Sequence, residues 1–207
     1  MTRVSPSALA APFLNDELAQ LALFVKSFTV AIEAAGHGNG SGVIWRPRGL
    51  VVTNAHVARG ERHGVRLPDG TEIEAERVAV DRKLDVAVLR VDLVQPFLAC
   101  APTSDAGTLR AGSVVLAHGH PWGIANALSL GVVHSVTKRR DGSAGWIASD
   151  VRLAPGNSGG PLVDTSGRVV GVNTAIVNGL GVAVAANAVE EVVRAAEQRL
   201  APNKWAA

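Results

Sequence analysis

From Phe28 onward the chain is a succession of short runs rich in Val, Ile, Leu and Ala, each closed by Gly, Pro or Asp, and this punctuation constrains the fold more than any other feature of the sequence. The runs fall near 28–32, 42–45, 50–53, 64–67, 72–80 and 86–91, then near 113–117, 128–137, 146–149, 161–164, 168–177 and 181–185. Between the two sets, residues 95–112 carry Pro96, Pro102, Ser104, Asp105 and Gly107 and read as a linker. Turn pairs such as Asp69-Gly70 and Asp141-Gly142 imply hairpins. No helical pattern separates one run from the next within a set, so alternating βαβ units are excluded. The expected fold is all-β: two six-stranded antiparallel β-barrels, the first over 27–94 and the second over 113–186.

Helical periodicity appears only at the two ends. Leu14, Leu18, Leu21, Val25 and Phe28 are spaced by fours and threes, giving an N-terminal helical segment within 1–26. Asn187 followed by Glu190 resembles a capping box, and Val189, Val192, Val193, Ala196 and Leu200 then define a closing helix over 187–201. Apolar residues make up 47% of the 207 and charged residues only 18%, which excludes a disordered chain. The formal charge of +2 is spread along the sequence, so nucleic acid is not an expected partner. A single cysteine, Cys100, rules out an intramolecular disulfide framework. No uncharged apolar run is long enough to span a membrane, and the Ala8–Leu14 stretch, broken by Pro12, makes a poor signal peptide. The compartment expected is the cytoplasm, or is left open.

The chemistry is concentrated in Pro155-Gly156-Asn157-Ser158-Gly159-Gly160-Pro161-Leu162. A serine among glycines sits on a backbone free to turn several N–H groups toward one point, which is what an oxyanion site requires. Gly156-x-Ser158-x-Gly160 also satisfies the nucleophile elbow of α/β-hydrolases, but in those enzymes the histidine follows the serine, and here His134, the last histidine, precedes it. The order His, Asp, Ser remains, with His56, Asp85 and Ser158 as candidates. His56 follows the run Leu50–Thr53, and Asp85 opens Val86–Val91. In this scheme His56 takes the Ser158 proton, Asp85 fixes the imidazole tautomer, and the N–H groups of Gly156 and Ser158 hold the oxyanion. No organic cofactor is called for. His118 and His120 could share a strand face, but no carboxylate or cysteine accompanies them, so no metal is expected. Cys100 lies far from the serine motif and reads as a small packed hydrophobe, and Lys138-Arg139-Arg140 reads as a solvated hairpin tip.

Taken together, Gly40-Ser41-Gly42-Val43-Ile44, Thr53-Asn54-Ala55-His56-Val57, Leu84-Asp85-Val86-Ala87-Val88-Leu89, the serine motif and Gly171-Val172-Asn173-Thr174-Ala175-Ile176 resemble trypsin-like serine proteases of the HtrA/DegP type over roughly 27–195. The resemblance implies a double-barrel serine endopeptidase acting through an acyl-enzyme on polypeptides, unfolded ones among them. Members of the family often form trimers through the N-terminal segment, and the stripe at Leu14, Leu18, Leu21 and Val25 could serve so or could equally cover its own barrel. Two departures from the family are expected, that no PDZ domain follows the protease and that no signal or anchor precedes it, and a third is read directly: the family's Gly-Asn-Pro appears as Gly119-His120-Pro121-Trp122-Gly123. Asn157 stands where trypsin-like zymogens carry an activating aspartate, so activity without propeptide cleavage is expected. Leu153, Ala175 and Val177 are the expected walls of the substrate pocket, favouring a small or medium apolar side chain. Arg152, six residues before Ser158, would favour acidic side chains if it pointed inward. The alternatives are an esterase on the same constellation and a peptide-binding pseudoprotease.

Overall fold

The computed structural model describes residues 11–34, 38–92, 99–121 and 127–200. After helix α1 (Ala11–Lys26) come β1 (Thr29–Ala34), β2 (Gly38–Arg46), β3 (Leu50–Thr53), β4 (Arg62–Arg66), β5 (Glu72–Asp81) and β6 (Val86–Val91). The second set is β7 (Val114–Gly119), β8 (Ala127–Lys138), β9 (Ala144–Ser149), β10 (Pro161–Asp164), β11 (Val169–Val177) and β12 (Leu180–Ala185), followed by helix α2 (Ala186–Leu200). Each set closes into an antiparallel barrel. The first runs β1-β2-β3-β6-β5-β4 and the second, followed from β7, runs β7-β8-β9-β12-β11-β10. The two orders are the same permutation, so one six-strand plan is used twice. The expected all-β double barrel is the fold observed, with strand ends within a few residues of those read from the sequence.

Many strands of the second barrel lack the alternation of apolar and polar residues that a half-exposed sheet would show, because both of their faces are buried. Val115 and Ala117 on β7 join the barrel interior with Ile147, Leu162 and Val170, whereas Leu116 between them joins the cluster that continues into the first barrel. Leu162 and Val163 divide in the same way, as do Ala183 and Val184. Successive side chains of a strand point to opposite faces, so one face fills the barrel and the other welds it to its neighbour. Each fully buried Val or Leu contributes about 1.5–3 kcal/mol, which fixes the barrels against each other without a disulfide.

Helix α2 strengthens this weld. It follows the second barrel in sequence, yet Val189, Val193 and Ala196 pack into the cluster shared with the first. The two residues read as a capping box have other partners. Asn187 accepts from the Ala106 N–H (3.0 Å) and donates to Asp105 (2.8 Å) in the connection between barrels. Glu190 accepts from Trp45 Nε1 (2.8 Å) and from Arg46 (2.6 Å), and Glu197 accepts from Arg46 as well (2.9 Å). Burial disfavours the charge on Arg46, but the two carboxylates outweigh it and raise the guanidinium pKa. These pairs are partly exposed, so they direct the helix more than they stabilise it.

In α1, Leu18, Leu21 and Val25 of the expected stripe pack on the protein's own body, while Leu14, Leu23 and Phe24 are exposed. Of the linker read over 95–112, residues 95–98 lie outside the described residues; Cys100, expected as a packed small hydrophobe, is exposed instead, while Ala101 bonds to Ile44 on β2, and Pro102 and Ser104 bond to Val169 on β11. Arg139 at the β8–β9 hairpin pairs with Glu191 (2.6 Å). No helix among the described residues is long and apolar enough to cross a membrane.

Candidate active site

The first barrel supplies an imidazole and a carboxylate. β3 ends at Thr53, and the next four residues turn back tightly, with the N–H groups of Val57 and Ala58 donating to the Asn54 carbonyl (3.1 and 3.0 Å). Buried Asn54 donates its side-chain amide to the Asp85 carbonyl (2.9 Å), and the Ala55 N–H donates to the same oxygen (3.1 Å). The turn before β6 is therefore bound to the turn after β3. Asp85 has φ +56°, in the left-handed region that few residues other than Gly, Asn and Asp occupy. That strain aims its carboxylate back over the His56 turn.

Three donors converge on this carboxylate. Oδ1 accepts from the His56 backbone N–H (2.9 Å), and Oδ2 lies 2.6 Å from both His56 Nδ1 and Thr174 Oγ1. Burial pushes the Asp85 carboxyl up, but the hydrogen bonds from His56 and Thr174 outweigh burial and hold it below the usual carboxylate range. An ionised carboxylate only accepts, so Nδ1 carries the proton and Nε2 is left as the basic nitrogen.

The second barrel supplies the serine on a loop shaped by its backbone. Gly156 has φ +107° and Gly159 has φ +85°. A side chain at Gly156 would collide with the His120 carbonyl and Pro121 Cα, and one at Gly159 with the Ser41 carbonyl and Thr53 Oγ1. The loop is anchored by Asn157 N–H to Ala154 O (2.9 Å), Gly159 N–H to Asn173 O (2.8 Å) and Gly160 N–H to Asn157 O (3.0 Å). Among the described residues, nothing accepts from the N–H groups of Gly156 or Ser158, the two expected to hold an oxyanion. Asn157 is 5% exposed and its Oδ1 has no partner among the described residues.

Ser158 Oγ donates to the Thr174 carbonyl at 3.3 Å, and no hydrogen bond joins it to His56 among the described residues. Thr174 is thus common to both halves: its carbonyl holds the serine and its hydroxyl holds Asp85. The sequence reading quoted Thr174 within a motif without giving it a role. The signal available was a hydroxyl at the last buried position of β11.

Beside Ser158 lies a cleft cavity of about 560 Å³, lined by Pro121, Val151, Arg152, Leu153, Ile176 and Gly181 among others. Leu153 is in its wall. Ala175 and Val177 are exposed on β11 and are not lining residues, whereas Ile176 between them is. Arg152 borders the cavity as an exposed residue, held through its backbone N–H to Ser129 Oγ (2.9 Å). Of the Gly119–Gly123 stretch, Trp122 and Gly123 lie outside the described residues. His118 and His120 meet edge to face, 6.3 Å between ring centres. Among the described residues no group of three or more His, Cys, Asp or Glu is arranged to hold a metal.

The pattern of the trypsin-like peptidase domain family matches residues 40–172. The chain is 37% identical over 166 residues to Protease Do-like 1, chloroplastic, of Arabidopsis thaliana, covering 77% of this chain and 38% of that protein. It is 35% identical over 175 residues to Serine protease HTRA2, mitochondrial, of Bos taurus, covering 81% and 37%. The chain therefore spans well under half the length of these relatives. The crystal structure of Deg5 superimposes with a TM-score of 0.77 at 30% identity, covering 87% of this chain and 94% of that one.

Proposed function

This chain belongs to the trypsin-like peptidase domain family, and on that premise we propose that it is a serine endopeptidase with Ser158 as nucleophile, His56 as general base and Asp85 as the group that orients and charges the imidazole. The observation that carries this reading is the His56–Asp85 pair on one barrel linked through Thr174 to Ser158 on the other. Rotation of Oγ away from the Thr174 carbonyl would bring the hydroxyl to His56 Nε2, a contact that often tightens only with substrate bound. Oγ then attacks the peptide carbonyl carbon while its proton passes to Nε2. The N–H groups of Gly156 and Ser158 take the oxyanion. Collapse returns the proton from His56 to the departing amine and leaves an acyl-serine, which water cleaves by the same route.

A polypeptide substrate is supported by β11. Its pairing with β10 stops at Val172, and residues 175–177 pair, among the described residues, only with β12, which leaves one edge to receive an extended peptide. The cavity walled by Leu153 and Ile176 would take an apolar side chain before the cut bond. Asn157 supports activity without propeptide cleavage, because a buried aspartate there would need a cationic partner. The exposed Leu14, Leu23 and Phe24 on α1 support a homo-oligomer, the trimer being our reading; light scattering after removal of residues 1–26 tests it.

Fluorophosphonate labelling and casein hydrolysis, compared between the wild type and Ser158→Ala, test the function. Both activities in the wild type and neither in the variant are expected. Labelling without proteolysis would favour an esterase, and neither activity in the wild type would favour a peptide-binding protein.

A further inference from the structure

The loop bearing Gly156 and Ser158 is held by one small side chain from the other barrel. Ser41, on β2, is fully buried and each of its polar atoms is engaged. Its N–H donates to the Ser158 carbonyl (2.8 Å) and its carbonyl accepts from Thr53 Oγ1 (2.7 Å). Its hydroxyl donates to the Gly156 carbonyl (2.7 Å) and accepts from the His120 N–H (3.0 Å). One further atom, His120 Nδ1, stands 3.3 Å from the same hydroxyl.

A hydroxyl has one proton and two lone pairs. When Nδ1 bears hydrogen it donates to the remaining lone pair, and the Gly156 carbonyl is the sole acceptor for the Ser41 proton. When Nδ1 is bare it competes for that proton, and the carbonyl can lose its donor. Burial, with the charges of Arg66 and Lys26 nearby, holds His120 below the ordinary histidine range, so at neutral pH the ring is uncharged and one nitrogen carries the proton. The carbonyl at stake belongs to the peptide unit joining Gly156 to Asn157, between the units that carry the Gly156 and Ser158 N–H groups, so an uncompensated rotation of it changes the angle between the two. The backbone of His120 and Pro121 already presses on Gly156 from one side, leaving the Ser41 hydroxyl to fix the carbonyl.

We propose that Ser41 is a positioning residue of the oxyanion site, and that His120, as its Nδ1–H tautomer, commits the Ser41 hydroxyl to the Gly156 carbonyl. The inference rests on Ser158 being the nucleophile. Neither side chain touches the reacting atoms; both act through the loop.

The test uses full-length protein with active sites counted by fluorophosphonate titration, so that misfolded molecules do not enter kcat. Ser41→Ala is expected to lower kcat on a peptide substrate by about tenfold to a hundredfold, with KM within about threefold, somewhat less than the loss from deleting an oxyanion donor outright. His120→Asp, whose carboxylate can only accept and so competes for the Ser41 proton, should lose about tenfold, and His120→Asn, whose amide can donate, should recover most of that loss. Nitrogen NMR of the wild-type ring should show Nδ1 protonated and Nε2 bare. A bare Nδ1, or a Ser41→Ala enzyme with wild-type kcat, would overturn the proposal. The ring spectrum needs no turnover, so it decides the Ser41–His120 contact even if Ser41→Ala does not fold. A wild type without labelling or turnover would instead bring down the assignment of Ser158.

Discussion

The two barrels share one strand order and contribute to the site by opposite means. The first offers side chains: a carboxylate with three donors, and an imidazole whose tautomer that carboxylate sets. The second offers backbone: a loop at positive φ, closely packed glycines and two N–H groups with no acceptor among the described residues. The same scaffold therefore protects two kinds of precision. A side-chain constellation fails when a proton or charge is misplaced and leaves the fold intact, whereas a backbone constellation fails when any Cβ is added.

The sharpest way to break the first half is Asp85→Asn. The His56 N–H keeps the Oδ1 side of the group as an acceptor, so the new amide turns its N–H₂ toward Nδ1 and Thr174 Oγ1 and imposes the wrong tautomer on His56. A fall in kcat of about 10⁴ is expected, with a denaturation midpoint near that of the wild type. Gly156→Ala attacks the second half. Its Cβ has no place beside the His120 carbonyl, and φ +107° is strained for alanine, so kcat should fall by about 10²–10³ as the oxyanion geometry is lost, together with measurable loss of stability. Retention of more than half of the wild-type kcat by this variant would mean that the loop is not the oxyanion element.

The smallest expected effect concerns stability. His118, on β7, is fully buried with neither ring nitrogen paired among the described residues, and burial, aided by His120 and Lys26, pushes its pKa down to about 4. Its ordinary value is 6.5. Between these values the unfolded chain binds a proton that the folded one refuses, so stability present above pH 6.5 declines as the pH falls toward 4 and then levels off with respect to this group. The total is about 3 kcal/mol by the usual conversion. Urea unfolding at pH 7 and pH 5 should show the decline, and His118→Leu should flatten it; an unchanged slope in the variant would place the titration elsewhere. Among the described residues of the first barrel, His63 is also buried, but its Nε2 pairs with the Gly60 carbonyl (3.0 Å), whereas neither ring nitrogen of His118 is paired.

Much of the fold was legible because its determinants are local. Turn residues at Asp69-Gly70 and Asp141-Gly142, and β-branched runs between them, mark strand ends wherever the chain goes next. His56, Asp85 and Ser158, the triad we propose, stood out because each sits among small residues that shape its backbone. Less legible were residues that act across the barrel boundary. Thr174 and Ser41 are ordinary hydroxyls in sequence, and Glu190 resembled part of a helix cap before the Trp45 and Arg46 side chains were seen to claim it. The walls of the cavity proposed for substrate also eluded periodicity: Ile176 lines the cavity and its neighbours do not, and the register of β11 shifts between Asn173 and Ala175.

By itself the sequence determined two sets of six strands, helices at both ends, and a serine among glycines preceded by a histidine and an aspartate. Strand period and turn chemistry are properties of a few consecutive residues, so they survive without knowledge of the whole. Only the tertiary structure decided that Thr174 serves both halves of the site and that Ser41 reaches across to hold the loop of Ser158. Those contacts depend on how one barrel is rotated against the other, and that rotation is set by the apolar faces of many strands and α2 packing together.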